Sequence, residues 1–234
     1  MLGVITNVIA ILIGSTIGLS FKRGIPQRLT DAVMLGLGLC TVYIGISGML
    51  KGENTLITII SVALGAIIGT LLDIDGKINR LGNWVSCRFS RSGGQSLVAQ
   101  GFVTASLLFC IGAMTIVGSL NAGLRGDNEL LFTKSLLDFI SSIMLSVSFG
   151  IGVILSSIFV LVFQGGIVLL SGVLAPLLTD SAIAEMTCAG SVIIFALGLN
   201  IVGITKIKVT DYSPAILLAP VLSYIFTAVS SHLG

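Results

Sequence analysis

The sequence predicts an all-α polytopic transmembrane bundle of about eight spans, with seven as the alternative. Three observations predict it. Hydrophobic residues make up 55% of the chain, charged residues only 9%, and mean hydropathy is +1.12. Apolar runs such as Leu2–Leu19 and Leu56–Leu72 approach the ~20 residues a helix needs to cross a bilayer. The runs are continuous and do not alternate with a period of two. That selects helices over a membrane barrel, because lipid offers the backbone no hydrogen-bonding partner. The whole chain, 1–234, reads as a single transmembrane domain.

The elements follow in order. A first helix is expected over Leu2–Phe21, retained rather than cleaved, since Met1–Val4 carries no basic region. A basic turn (Lys22, Arg23, Arg28) precedes a second helix at Ala32–Leu50. The polar turn Lys51–Asn54 leads to a third at Leu56–Leu72. Residues 73–96 break the pattern. Ile74, Ile78, Leu81, Val85 and Phe89 recur near helical spacing, with Lys77, Arg80, Arg88 and Arg91 on other faces. This reads as an amphipathic helix in the membrane interface, with a solvated loop as the alternative. A fourth span is expected over Leu97–Leu120. Residues 131–178 hold two spans, divided either at Gly150–Gly152 or at Gln164–Gly166. The second division leaves a short piece and implies a broken or re-entrant helix. The last two helices are expected at Ala184–Ile204 and from Ser213–Pro214 onward, the latter with a kink at Pro220.

Charge orients this arrangement. With eight spans and both termini outside, the inside connections hold Lys22, Arg23, Arg28, Lys77, Arg80, Arg88, Arg91, Lys206 and Lys208. That is nine of the twelve basic residues, with Lys51, Arg125 and Lys134 left outside. The net charge of +2 is therefore a topology signal and not a nucleic-acid signal. Multi-pass insertion among membrane lipids is expected.

Residues 36–56 and 110–130 echo each other at an offset of 74. Gly38/Gly112, Thr41/Thr115, Leu50/Leu124, Gly52/Gly126, Asn54/Asn128 and Leu56/Leu130 are identical. A third, fainter copy is Leu197–Asn200 against Leu37–Cys40, on a helix running the other way. Internal repeats are common in transporters. The 29 glycines are patterned too. Gly14/Gly18 and Gly65/Gly69 form small-residue faces for close helix packing. Gly36/Gly38 and Gly150/Gly152 are candidates for local unwinding, and a homo-oligomer is expected from such faces.

Polar side chains inside spans are costly and tend to face a bundle interior or a water-filled path. Asp138 stands out as an isolated carboxylate. Asp138, Ser142 and Ser146 are four apart and share one face. They suit cation capture at a pore mouth, although an acidic residue near a helix start also favours its dipole. Asn7 and Asn200 are buried amides that either join helices or line a path. Gln100, Thr104, Cys110 and Thr115 add polar positions on the fourth span. Cys110 and Met114 are more simply packing than a soft-metal pair, so no metal site and no cofactor are expected.

A family resemblance rests on particular stretches. These are Gln100–Ser119 (QGFVTASLLFCIGAMTIVGS), Lys134-Ser-Leu-Leu-Asp138 with Ser141 and Ser142, Asn7 with Gly14 and Gly18, and Ala196–Asn200 with Lys206-Ile-Lys208. Together they resemble the YdfK/YqgA-like bacterial membrane proteins over nearly the full chain. The resemblance implies an integral protein of the bacterial inner membrane and supplies no mechanism.

Enzymatic constellations are missing. The one histidine, His232, lies at the C-terminus, and there is no H-E-x-x-H, G-x-S-x-G or P-loop lysine. The expectation is therefore not an enzyme but a transporter or channel for a small solute or ion. A non-transport scaffold or partner subunit is the alternative, and an intramembrane enzyme is third.

Overall fold

The computed structural model describes residues 1–22, 27–80, 95–110, 113–176 and 178–233. The helices are α1 (Leu2–Lys22), α2 (Gln27–Met49), α3 (Thr55–Leu71), α4 (Ile74–Arg80), α5 (Gln95–Cys110), α6 (Ala113–Leu124), α7 (Glu129–Phe149), α8 (Gly152–Leu169), α9 (Ser171–Leu174), α10 (Asp180–Val202) and α11 (Pro214–Leu233). A 3-10 turn at Val209–Tyr212 precedes α11. No strand occurs among the described residues. The protein is an all-α membrane bundle.

Among the described residues, five helical segments are long and apolar enough to cross a bilayer. The number rises to seven if each of two bent pairs counts as one span. These pairs are Thr55–Leu71 with Ile74–Arg80, bent by 54°, and Leu97–Cys110 with Met114–Leu124, bent by 60°. The helix α2 has a shorter apolar stretch at Met34–Met49.

Glycine contacts fix the helix directions. Gly3 lies against Leu131, Gly14 against Phe139 and Ser142, and Gly18 against Ile143 and Ser146, so α1 and α7 run parallel. Gly38 meets Val202, Gly45 meets Phe195 and Gly48 meets Ser191, so α2 and α10 run antiparallel. Gly65 on Ala215 and Gly69 on the Asp211 carbonyl make α3 and α11 antiparallel as well. The faint third echo has a physical basis here. Gly38 and Gly198 sit in one antiparallel seam, where a side chain on Gly198 would strike Val42 and the Gly38 carbonyl.

One end of the bundle gathers Arg28, Lys77, Arg80, Lys206 and Lys208, with Asp73, Asp75 and Asp211 among them; the other gathers Glu53, Asp127, Glu129 and Asp180, with Lys51 and Arg125. They are called the basic and acidic ends below. At the acidic end, fully buried Glu185 Oε1 accepts the Glu53 and Asn54 amides at 2.8 and 2.6 Å, which pins the turn between α2 and α3 to α10. At the basic end, buried Asp211 accepts the Asp75 amide at 2.9 Å and fastens the α3–α4 bend.

Two expectations change. The fourth span is not continuous over Leu97–Leu120, since α5 and α6 meet at an angle around residues 111–112. The division within 131–178 falls at Gly150–Gly152, and Gln164–Gly166 stays inside α8. The reason is steric. Gly150 holds φ +76°, a left-handed conformation open to glycine, and Gly152 lies directly on the Val98 carbonyl. The leftover piece becomes the single turn α9. Of the segment 73–96, residues 74–80 are helical, with Ile78 packed inward and Lys77 and Arg80 exposed. Its part at 81–94, like Gly112, lies outside the described residues.

Candidate functional site

Lys134 and Asp138 are one turn apart on α7, and both are buried. Lys134 Nζ donates to Asp138 Oδ2 in an ion pair closed to solvent. Asn7 of α1 donates Nδ2 to the same carboxylate oxygen at 2.9 Å and to Gln164 Oε1 of α8 at 3.2 Å. Asn7 and Gln164 are fully buried, and Asn7 Oδ1 and Gln164 Nε2 have no partner among the described residues. Asp138 lies nine residues into α7, about 13 Å along its axis, near the middle of a ~30 Å hydrocarbon core. The carboxylate expected to be isolated is therefore paired. An i,i+4 lysine is the inexpensive way to keep a carboxylate in lipid, since either charge alone is costly there.

The broken span faces this pair. The Phe109 ring, at the end of α5, lies 5.9 Å from Lys134 Nζ. Across the break Thr115 Oγ1 donates to the Phe109 carbonyl at 3.1 Å, satisfying one acceptor freed by the bend. Phe109 also joins Ile11, Leu145 and Val160 in the core between α1, α5, α7 and α8.

Along α5 the polar positions lead away from the pair. Thr104 is fully buried, and its hydroxyl has no partner among the described residues. One turn earlier Gln100 borders a cavity of about 140 Å³ at the basic end, together with Asp75, Asn79, Asn200 and Thr210. Asn200 also organises its own loop, taking Thr205 Oγ1 and the Ile207 amide on Oδ1 and donating Nδ2 to the Ile207 carbonyl.

The chain as a whole matches a known family. A family described as "Protein of unknown function (DUF554)" covers residues 2–224. The chain belongs to that family. Across 97% of its length it is 34% identical to "Uncharacterized membrane protein YdfK" of Bacillus subtilis (strain 168), of which 98% is covered. It is 30% identical, with the same coverage of both chains, to "Uncharacterized protein YqgA" of Escherichia coli (strain K12). No solved structure matches.

Within this DUF554 member the structure brings Asn7 and Asp138 together at mid-span, and Gln100 and Asn200 together at the basic end. It does not gather all the predicted residues in one place. Ser142 and Ser146 do line the same α7 face as Asp138, but α1 covers them. Gly14 is seated on the Ser142 hydroxyl, which donates to Phe139 O, and Gly18 is seated on Ser146. Cys110 is buried beside the break. Gly36 faces open space, in contrast to Gly38. Sequence reasoning missed Lys134 and Gln164. The four-residue spacing Lys134–Asp138 was the available signal for the first. For Gln164, a lone amide in the charge-free stretch between Asp138 and Asp180 was the signal.

Proposed function

We propose that the protein is a transporter or channel that carries a small solute or ion across the bacterial inner membrane, with its basic end facing the cytoplasm. The observation that carries this reading is the buried Asn7–Lys134–Asp138–Gln164 cluster beside the α5–α6 break. Intramembrane ionisable groups mark transport pathways, and discontinuous helices surround the sites of many carriers. On the α10 side of α5, Gln100 borders a separate polar cavity at the basic end.

A scaffold whose glycine faces bind other proteins has less support. Gly14, Gly18, Gly38, Gly65, Gly69 and Gly198 are all occupied by helices of the same chain.

Flux in proteoliposomes tests the proposal, with sodium, potassium, protons and halides run in parallel. Asp138→Asn and Gln100→Leu are compared with the parent. Flux in the parent that Asp138→Asn abolishes and Gln100→Leu reduces is expected. Folded parent protein that passes none of these ions and no small organic solute overturns the reading.

A further inference from the structure

We infer that Asn7, Asp138 and Gln164 form a binding site for a small monovalent cation, and that the Lys134 ammonium is a tethered occupant which this cation displaces. The inference rests on the transport reading and names the ion class of that same site.

The ligand set is rich in oxygen. The Asp138 carboxylate and the Gln164 carbonyl converge on Asn7 Nδ2, at 2.9 and 3.2 Å, and turning the Asn7 amide end for end brings its buried Oδ1, which has no partner among the described residues, to the same point. Hard cations take oxygen ligands of this kind. One carboxylate among neutral carbonyls balances a single positive charge, and Lys134 supplies that charge in the present arrangement. An anion would find Lys134 and Gln164 Nε2 as donors but would meet Asp138 at the same point. The elements packed around the carboxylate present Asn7 from α1, Gln164 from α8 and Phe109 from α5. Lys134 is the charged side chain in contact with it.

Exchange needs somewhere for the displaced ammonium to go. Lys134 lies five residues into α7, about 7 Å from its start. Asp127 and Glu129 stand at that acidic end. A lysine stem is long and flexible enough to carry its charge outward along an apolar surface. The incoming cation then neutralises Asp138 at mid-span while the ammonium moves toward the acidic groups and water.

The test uses the purified full chain at fixed pH and ionic strength. Lithium, sodium and potassium chlorides are titrated against choline chloride. Two signals are followed: the apparent melting temperature and the rate at which an amine-acylating reagent modifies Lys134. The expected result is a saturating rise in melting temperature with at least one inorganic cation. Lys134 acylation should rise with the same half-saturating concentration. Asp138→Asn should lose both responses. Lys134→Gln should lower the half-saturating concentration about tenfold by removing the competitor. If Lys134→Gln does not fold, acylation of the parent decides. The inference is overturned if no inorganic cation moves either signal, if the shift follows the anion, or if it persists in Asp138→Asn. Flux without cation binding overturns the inference and leaves the transport reading standing; cation binding without any flux does the reverse.

Discussion

Lys134 and Asp138 are held together by the cost of having either one alone. Breaking a buried ion pair by removing one partner costs about 3–5 kcal/mol, whereas replacing both with apolar residues is often close to neutral. Lys134→Met and Asp138→Leu should therefore each lower stability by about that amount. The double variant should recover most of the loss, as read by denaturant unfolding in mixed micelles. Equal additive losses would mean that the two side chains act independently. At this scale Asp138 and Asn7 were legible in the sequence, because an acid and an amide inside apolar runs have few alternatives to burial. Glu185 was not. It lies near the start of α10, where an acidic residue reads as a helix-end charge. Its partners are backbone amides 132 and 131 residues away in sequence.

Among the elements, the closest approaches are made by glycines, and they are not interchangeable. A leucine at Gly14 would have to displace the Ser142 hydroxyl and the Phe139 backbone, while a methyl at Gly36 would meet nothing within 4 Å. Gly14→Leu should separate α1 from α7 and sharply reduce folded yield. Gly36→Ala should leave yield unchanged or raise stability by up to about 1 kcal/mol through helix propensity. The α2–α10 pairing has its own check. A Cβ at Gly52 would lie 2.9 Å from Cys188 Cβ, closer than the ~3.5–4.5 Å of a disulfide, so a small outward shift of the turn brings the pair into range. Gly52→Cys, with the other native cysteines replaced, should form a bond with Cys188 on mild oxidation, seen by non-reducing electrophoresis. Gly36→Cys should not. Most helix bounds were legible from apolar run length. The α5–α6 bend was not, because Cys110–Thr115 is apolar enough to pass for a continuous span. What relieves the bend is a hydroxyl bond across it, from Thr115 to the Phe109 carbonyl.

For the molecule as a whole, the offset-74 echo corresponds to two helices that start at the same end and point the same way. Ser61 and Ser135 hold equivalent places in α3 and α7, and each donates to the carbonyl four residues back, at 2.6 and 2.7 Å. The preceding asparagines have diverged in use: Asn54 caps α3 through the Leu56 amide, while Asn128 Oδ1 accepts the Gly3 amide. The segregation of charge makes orientation testable. In intact cells a membrane-impermeant maleimide should label Lys51→Cys at the acidic end and spare Lys208→Cys at the basic end, in a background without other cysteines. The reverse pattern would invert the assigned topology. Charge counting placed Lys134 in an outside connection, but it lies buried on α7, paired with Asp138.

Asn7 donates its hydrogen bonds to residues 131 and 157 positions further along the chain. At synthesis rates of about 5–20 residues per second, roughly 7 to 26 seconds separate the birth of Asn7 from that of Asp138. Throughout that interval the nascent first helix carries an amide with no protein partner from its own chain. It must wait at the insertion machinery, or in water-thinned lipid, until α7 and α8 emerge. Membrane entry and bundle completion are thus separate events in the biogenesis of this protein. A chain stopped before Gln164 would already hold Asp138 and lack only the α8 acceptor for Asn7 Nδ2.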